Sequence, residues 1–243
     1  MKSITFTSTI SSKPRLLALS AALGGVLILA ACGGGSDDDS GNPVQRPKPN
    51  PITVAPTTTC STAGVAAANA STAANVVCML TSDGEMVVEL DARAPITVTN
   101  FLKYVDAKFY DNTIFHRVVP GFVAQGGAYI TGYAAKPPGN NLGGTIKLES
   151  NVGISNVKYT IAMARLATPV DSATSQFFFN SADNSAALDY SASTTNPNPG
   201  YAAFGRVISG QATVDKINAE PQLYTGAETP ATEVLLYWAI RLR

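Results

Sequence analysis

The stretch FHRVVPGFVAQGG, Phe115 to Gly127, decides how this chain is read. It sets the only histidine, His116, beside Arg117 in an otherwise apolar run, with Gln125 eight residues after the arginine. The run TIFHRVV has the composition of a strand, and strict alternation would send His116 and Arg117 to opposite faces. Two readings of the arginine stand at this point. It is a surface residue whose stem packs on apolar neighbours, or it is a donor set deliberately beside an apolar site. Gln125 divides the same way, between an ordinary amide satisfied by backbone and a binding group.

Outward from this stretch, the sequence is punctuated into short β-rich pieces. NVVCMLTSDGEMVVELD contains two such runs around Asp83-Gly84, a hairpin signal, and Met86, Val88 and Leu90 form one apolar face of the second. After Pro95, Val98, Phe101, Leu102 and Val105 recur at helical spacing, which predicts a helix with one buried face. GFVAQGG, YTIAMAR, SQFFFN and YAAFGRV read as further strands. A short helix is expected over 213–219, followed by a last strand in which Val234, Leu236, Trp238, Ile240 and Leu242 share a face; Trp238 reads as core. Many short strands with Gly-rich turns and two helices predict a mainly β fold, a barrel or sandwich with helices over its ends.

The N-terminal third has a different character. Lys2, Lys13 and Arg15 precede the apolar run Leu16 to Ala31, whose 16 residues fall short of the ~20 that span a bilayer. This is the layout of a secretory signal peptide over 1–31. Its ending, Leu29-Ala30-Ala31-Cys32, resembles the lipobox of bacterial lipoproteins, which implies lipidation of Cys32, a membrane anchor and a location in the cell envelope. Gly33 rather than Asp after the cysteine implies, by the sorting rule of some bacteria, the outer membrane. Residues 32–75, rich in Gly, Ser, Asp and Pro and poor in apolar groups, are expected to be a disordered tether. At ~3.1 Å per residue the part from Gly33 to Thr59 would reach ~80 Å. The folded domain is expected over 76–243. Cys60 and Cys78 are either disulfide partners, as an exported protein allows, or two unrelated thiols.

Composition excludes some classes of function. The chain is 45% hydrophobic and 14% charged with zero net charge, and loss of Lys2, Lys13 and Arg15 with the leader leaves −3. No basic cluster points to nucleic acid as a partner. One histidine and two distant cysteines do not make a metal-ligand set. There is no GxSxG elbow, phosphate loop or dinucleotide fingerprint; the one histidine that could activate a nucleophile lies between Phe115 and Arg117 on an expected strand, and the acids that could form a carboxylate pair are scattered on turns and strand edges. Reactions that need neither nucleophile nor metal remain. Rotation about a prolyl peptide bond is one, with a barrier of ~18–20 kcal/mol set by C–N resonance. An apolar pocket for the ring and a donor aimed at the imide nitrogen would lower it.

The residues quoted carry a resemblance. FHRVVPGFVAQGG resembles the first signature of cyclophilin-type peptidyl-prolyl isomerases, and SATSQFFFN (Ser172 to Asn180) is similar to the second, with TIAMAR and GYAAFGRV in the order of bacterial periplasmic members. The resemblance implies a closed eight-stranded antiparallel β-barrel capped by two helices, no cofactor, and proline-containing exported polypeptides as substrates of a monomeric domain. It implies Arg117 as the catalytic donor, acting where water is excluded. It implies Phe122, Val123 and Phe178 as the proline pocket with Leu188 at its edge, Gln125 on the substrate backbone, and Ala164, Arg165, Gln176 and Tyr201 along the neighbouring groove. Val123 stands where Met is usual. Ala186-Ala187, with one inserted residue, stands where the family carries an aromatic associated with cyclosporin binding, which implies weak inhibition by that drug. A proline-segment binding module with little turnover is the alternative these departures leave open.

Overall fold

The computed structural model describes residues 45–139 and 141–243. The expected signal peptide, Cys32 and the tether as far as residue 44 lie outside the described residues. β1 (Asn75–Thr81) and β2 (Gly84–Leu90) form the hairpin. Thr81 pairs with Gly84, so the turn itself is Ser82-Asp83, one residue earlier than the dipeptide signal suggested. β3 (Thr113–Val119), β4 (Val123–Ile130), β6 (Thr160–Met163), β7 (Phe177–Asn180), β8 (Ala203–Ser209) and β9 (Val234–Arg241) complete the wall, while β5 (Ala134–Ala135) is a two-residue addition to β4. The strands run in the order β3-β9-β1-β2-β8-β6-β7-β4, and β4 returns to pair with β3. This is a closed antiparallel barrel of eight strands, and closure leaves the wall without an open edge.

Alternation fills the inside. Val77, Met79, Met86, Val88, Phe177 and Phe179 meet in one core with Phe115 and Phe204. α2 (Pro95–Asp106) buries Val98, Phe101, Leu102 and Val105 against it, as the spacing required, and α4 (Gln211–Asn218) adds Val214 and Ile217. The start of α2 has no capping side chain of its own. Glu149 supplies one from 52 residues away, accepting from the Thr97 amide and hydroxyl at 2.8 Å each, where helix N–H groups otherwise lack partners.

Two expectations need correction. The first is the boundary at residue 75. α1 (Thr62–Ala70) lies within the segment expected to be disordered, with Ser61 as its N-cap, and packs against β2 and β8. Upstream of it, Lys48 donates to the Ala231 carbonyl and accepts from Glu233 N–H. The Trp238 indole donates to the Thr57 carbonyl at 2.6 Å, and the Tyr237 hydroxyl to that of Ile52 at 2.7 Å. The physical reason lies in β1, whose run Val76-Val77-Cys78-Met79-Leu80 is apolar on both faces. Val77 and Met79 face the barrel interior, while Val76, Cys78 and Leu80 face outward and need a second cover. α1 and the strap before it provide that cover, and Cys60 is bridged to Cys78 across a Cα separation of 6.0 Å. α1 and the single-turn α3 (Ser185–Leu188) also raise the helix count above the two expected.

The second correction concerns β9. Its register on β1 slips between Leu80↔Trp238 and Thr81↔Leu236, inserting one extra residue in β9. Val234 and Leu236 therefore belong to the barrel interior, whereas Trp238 packs with Tyr237 in the outer cluster beneath the strap. Trp238 is core, but of the second, outer core. The bulge is what broke the five-residue alternation.

Candidate active site

β3 and β4 are joined by Pro120, Gly121 and Phe122. Phe122 N–H donates to the Val119 carbonyl at 3.0 Å, and Gly121 has φ of +71°. Proline fixes the first central position of such a turn and glycine permits the positive φ of the second. Asn218 at the end of α4 clamps the turn from outside, donating to the Val119 carbonyl at 2.9 Å and accepting from Gly121 N–H at 2.8 Å. The QGG end of the motif has its own reason. Gly127 sits at φ +86°, and a Cβ there would come within 2.7 Å of the Ser175 carbonyl.

A bulge in β3 sets the arginine. Phe115 pairs with Gly126 and Arg117 with Gln125, two residues on β3 against one on β4. Without it Arg117 would share the inward face of Phe115. Cross-strand partners share a face, so Arg117 lies with Gln125 and Phe178 on the outside of the wall, and the His116 ring packs on Tyr129 of the outer cluster; the expectation that His116 and Arg117 face opposite ways is corrected. The His116 ring lies 4.7 Å from that of Tyr129, and its buried Nδ1 has no hydrogen-bond partner. Burial, and secondarily the charge of Arg117, push its pKa down to about 4. The ring is neutral at pH 7 and has no imidazolium proton to give as a general acid.

From Arg117 a row of paired residues crosses the wall: Gln125 on β4, Phe178 on β7 opposite Gln125, and Ala162 on β6 opposite Phe178. Strands stand ~4.8 Å apart, so the row carries Arg117 to within about 10 Å of Phe178 across the outer face. Phe178 projects away from the barrel while its neighbours Phe177 and Phe179 fill the interior. Around Phe178 gathers a third apolar cluster, with Val123, Ala162, Leu188 and Ala203 buried and Phe122, Ala164 and Tyr201 partly exposed. Tyr201 meets Phe178 edge-on at 5.7 Å. The Arg165 guanidinium stacks 4.6 Å above the Tyr201 ring and donates from Nε to the Gly200 carbonyl. Gln125 donates from Nε2 to Oε1 of Gln176 at 2.8 Å. All ten residues expected for the site thus occupy one face. Ala186 and Ala187 are exposed on α3, at the rim next to Leu188.

The arginine's surroundings differ from expectation. Its side chain is 34% exposed rather than shielded from water, and its Nε donates to the Glu228 carboxylate at 2.6 Å. Glu228, Asn218 and Asn184 were all missed in the sequence. Asn184 donates to the Phe122 carbonyl at 2.8 Å and to Oδ1 of Asn180 at 2.7 Å, fixing the pocket's lip. Each acts on a partner tens of residues away, which no local pattern announces. Among the described residues the one group of three side chains able to ligate a metal is Cys60, Cys78 and Glu85, and its two sulfurs are joined to each other.

Comparison with known proteins agrees with this geometry. The model of the cyclophilin type peptidyl-prolyl cis-trans isomerase family matches residues 76–237. The chain is 42% identical to peptidyl-prolyl cis-trans isomerase A of Dickeya dadantii, over 69% of this chain and 83% of that one. It is 44% identical to isomerase B of Escherichia coli, over 56% and 80%. Among solved structures, a Cryptosporidium parvum cyclophilin type isomerase determined in the presence of the dipeptide Ala-Pro shares the fold at a TM-score of 0.54 and 24% identity, covering 68% of this chain and 97% of that one. A closed barrel with an outward apolar cluster around Phe178 in the same cross-strand row as an arginine, with these relatives, leads to one conclusion: the chain belongs to the cyclophilin-type peptidyl-prolyl cis-trans isomerases.

Proposed function

We propose that the isomerase acts on exported polypeptides from a lipid anchor, and that Arg117 is its catalytic donor. The observation that carries the catalytic part is the cross-strand row from Arg117 through Gln125 to Phe178. A proline ring seated on Phe178, Phe122, Val123 and Leu188 brings its imide nitrogen toward the guanidinium. As the bond twists, resonance is lost and the nitrogen lone pair localises. A donor that meets this lone pair only in the twisted state lowers the barrier without tightening the ground state. The seated substrate covers Arg117 and removes the water that reaches it in the free protein, which strengthens the hydrogen bond. Bonding between Gln125 and Gln176 leaves an amide oxygen on the first and amide protons on the second to hold the substrate backbone.

The LAAC ending at Cys32 supports the anchor, and Gly33 supports the outer membrane as its site. Because Lys48 is bonded to the barrel, even a fully extended chain from Cys32 to that residue would reach at most about 55 Å. The domain would work close to the bilayer. Uncatalysed prolyl isomerisation takes tens to hundreds of seconds and limits folding, so a catalyst placed there serves chains that have just crossed the inner membrane. Two assays test the proposal. Protease-coupled turnover should fall at least tenfold in Arg117→Ala, and Cys32→Ala should move the protein from the membrane to the soluble fraction. Unchanged turnover refutes the first part, and unchanged fractionation the second.

A further inference from the structure

Arg117 is paired with Glu228, although nothing in the apolar cluster around Phe178 requires a carboxylate there. Glu228 belongs to the long connection between α4 and β9 and is 53% exposed, while its partner is 34% exposed. An exposed pair of this kind contributes little to stability. Its geometry, however, is held from several sides. The Glu228 carbonyl accepts from Val118 N–H at 2.7 Å, so main chain and side chain of one residue both bond β3 at neighbouring positions. The connection is cross-linked by Leu223 N–H to the Thr229 carbonyl and Ala231 N–H to that of Pro221, and Lys48 of the strap bonds its last residues on both sides. The carboxylate is therefore presented by a framed loop.

Which nitrogen it engages decides what it does. Glu228 takes Nε, through a single oxygen. Among the described residues neither Nη of Arg117 has a hydrogen-bond partner, so both terminal groups stay available. A carboxylate that competed with substrate would occupy those groups. One bound at Nε instead removes rotations from a long side chain while leaving its tips free. The partner of those tips is the lone pair of a neutral nitrogen, for which direction matters more than net charge. The negative charge nearby therefore costs less than the fixed orientation contributes.

We infer that Glu228 is a positioning residue for the isomerase, holding the Arg117 guanidinium by Nε so that its Nη groups face the proline recess. This rests on the reading of Arg117 as the catalytic donor. The experiment compares full-length wild type, Glu228→Ala, Glu228→Gln, Arg117→Ala and the double alanine variant, measuring kcat and KM separately. Glu228→Ala keeps the main-chain bond to Val118 and should lower kcat three- to tenfold with KM within twofold of wild type. Glu228→Gln retains an acceptor oxygen for Nε–H and should recover at least half of the wild-type kcat. In the Arg117→Ala background the Glu228→Ala change should have no further effect. The Arg117 Nε–H correlation in a 1H–15N spectrum should shift in Glu228→Ala and be largely retained in Glu228→Gln. Wild-type kcat in Glu228→Ala overturns the inference, as does a rise in kcat, which would make Glu228 a competitor of the substrate. Wild-type turnover in Arg117→Ala instead overturns the catalytic reading of the arginine, and this inference with it.

Discussion

Reduction of the Cys60–Cys78 bond should destabilise the domain by an amount the structure allows to be worked out. The bond closes a loop over a sequence separation of 18. In the chain-entropy model such a loop removes freedom from the unfolded chain equivalent to ~3 kcal/mol. For a domain of this size each kcal/mol moves Tm by ~2–4 °C, so reduction should lower Tm by about 6–12 °C. Reduction is a cleaner perturbation than substitution, because Cys78 is fully buried in the outer cluster and truncating it would add a cavity. Cys60 is only partly buried, so a small reductant can reach the bond. The assay is thermal unfolding of the same protein with and without reductant, with free thiols counted in each sample. Turnover at low temperature should stay within twofold, since β1 is not among the strands β3, β4, β7 and β6 that carry the site. A fully reduced protein with unchanged Tm would refute the reasoning. The strap would then be held by its noncovalent bonds alone, and the bridge would not constrain the unfolded chain.

Other outcomes follow from the site and from two partly buried ionisable groups. Phe178→Ala should cost about 3 kcal/mol of stability as well as most of kcat/KM, because the ring is 4% exposed and forms the floor of the recess; urea unfolding and turnover measure the two effects. Desolvation first, and then the charge of Glu220, raise Asp83 to about 6, and its buried Oδ2 has no partner. Its folded form therefore holds a proton that the unfolded chain releases above 3.8, and the associated stability is lost as pH rises through 6. Asp83→Asn should thus be more stable than wild type at pH 7, by no more than about 1 kcal/mol given its partial exposure, and equal to it at pH 4. His116 has the opposite sign. With its pKa pushed down to about 4 in the fold, stability should fall as pH drops from 6.5 toward 4, a slope best measured by urea midpoints in the Asp83→Asn background. Cyclosporin should inhibit weakly, because exposed Ala186 and Ala187 offer no aromatic surface at the rim; inhibition at nanomolar drug would contradict this.

Much of the barrel was legible because its residues obey local periods. Met86, Val88 and Leu90 alternate on β2, and Val98, Phe101, Leu102 and Val105 recur on α2, and each landed in the interior core. The candidate site residues came from motif resemblance rather than from pattern, and the structure brings the ten to one face. What was not legible has physical causes. The bulges at His116 and Tyr237 break alternation by one residue each, and no propensity marks them in advance. The strap and α1 looked like tether because their own sequence is polar, small and Pro-rich, and the reason for their order lies in the outward face of β1. The apolar run Val76 to Leu80 did carry that signal, as a strand with no polar face. Glu228 and Asn218 reach β3 across long sequence separations, and only the fold brings them there.

The measurement that bears most directly on the central claim separates binding from bond rotation. Line-shape NMR on an Ala-Pro peptide titrated with full-length wild type and with Arg117→Ala gives, in one experiment, the affinity and the cis-trans rate on the enzyme. If the arginine meets the prolyl nitrogen only as the bond twists, the on-enzyme rate falls at least tenfold in the variant while the affinity changes less than threefold. An equal rate with weakened affinity would contradict the account and leave Arg117 as a substrate-binding group.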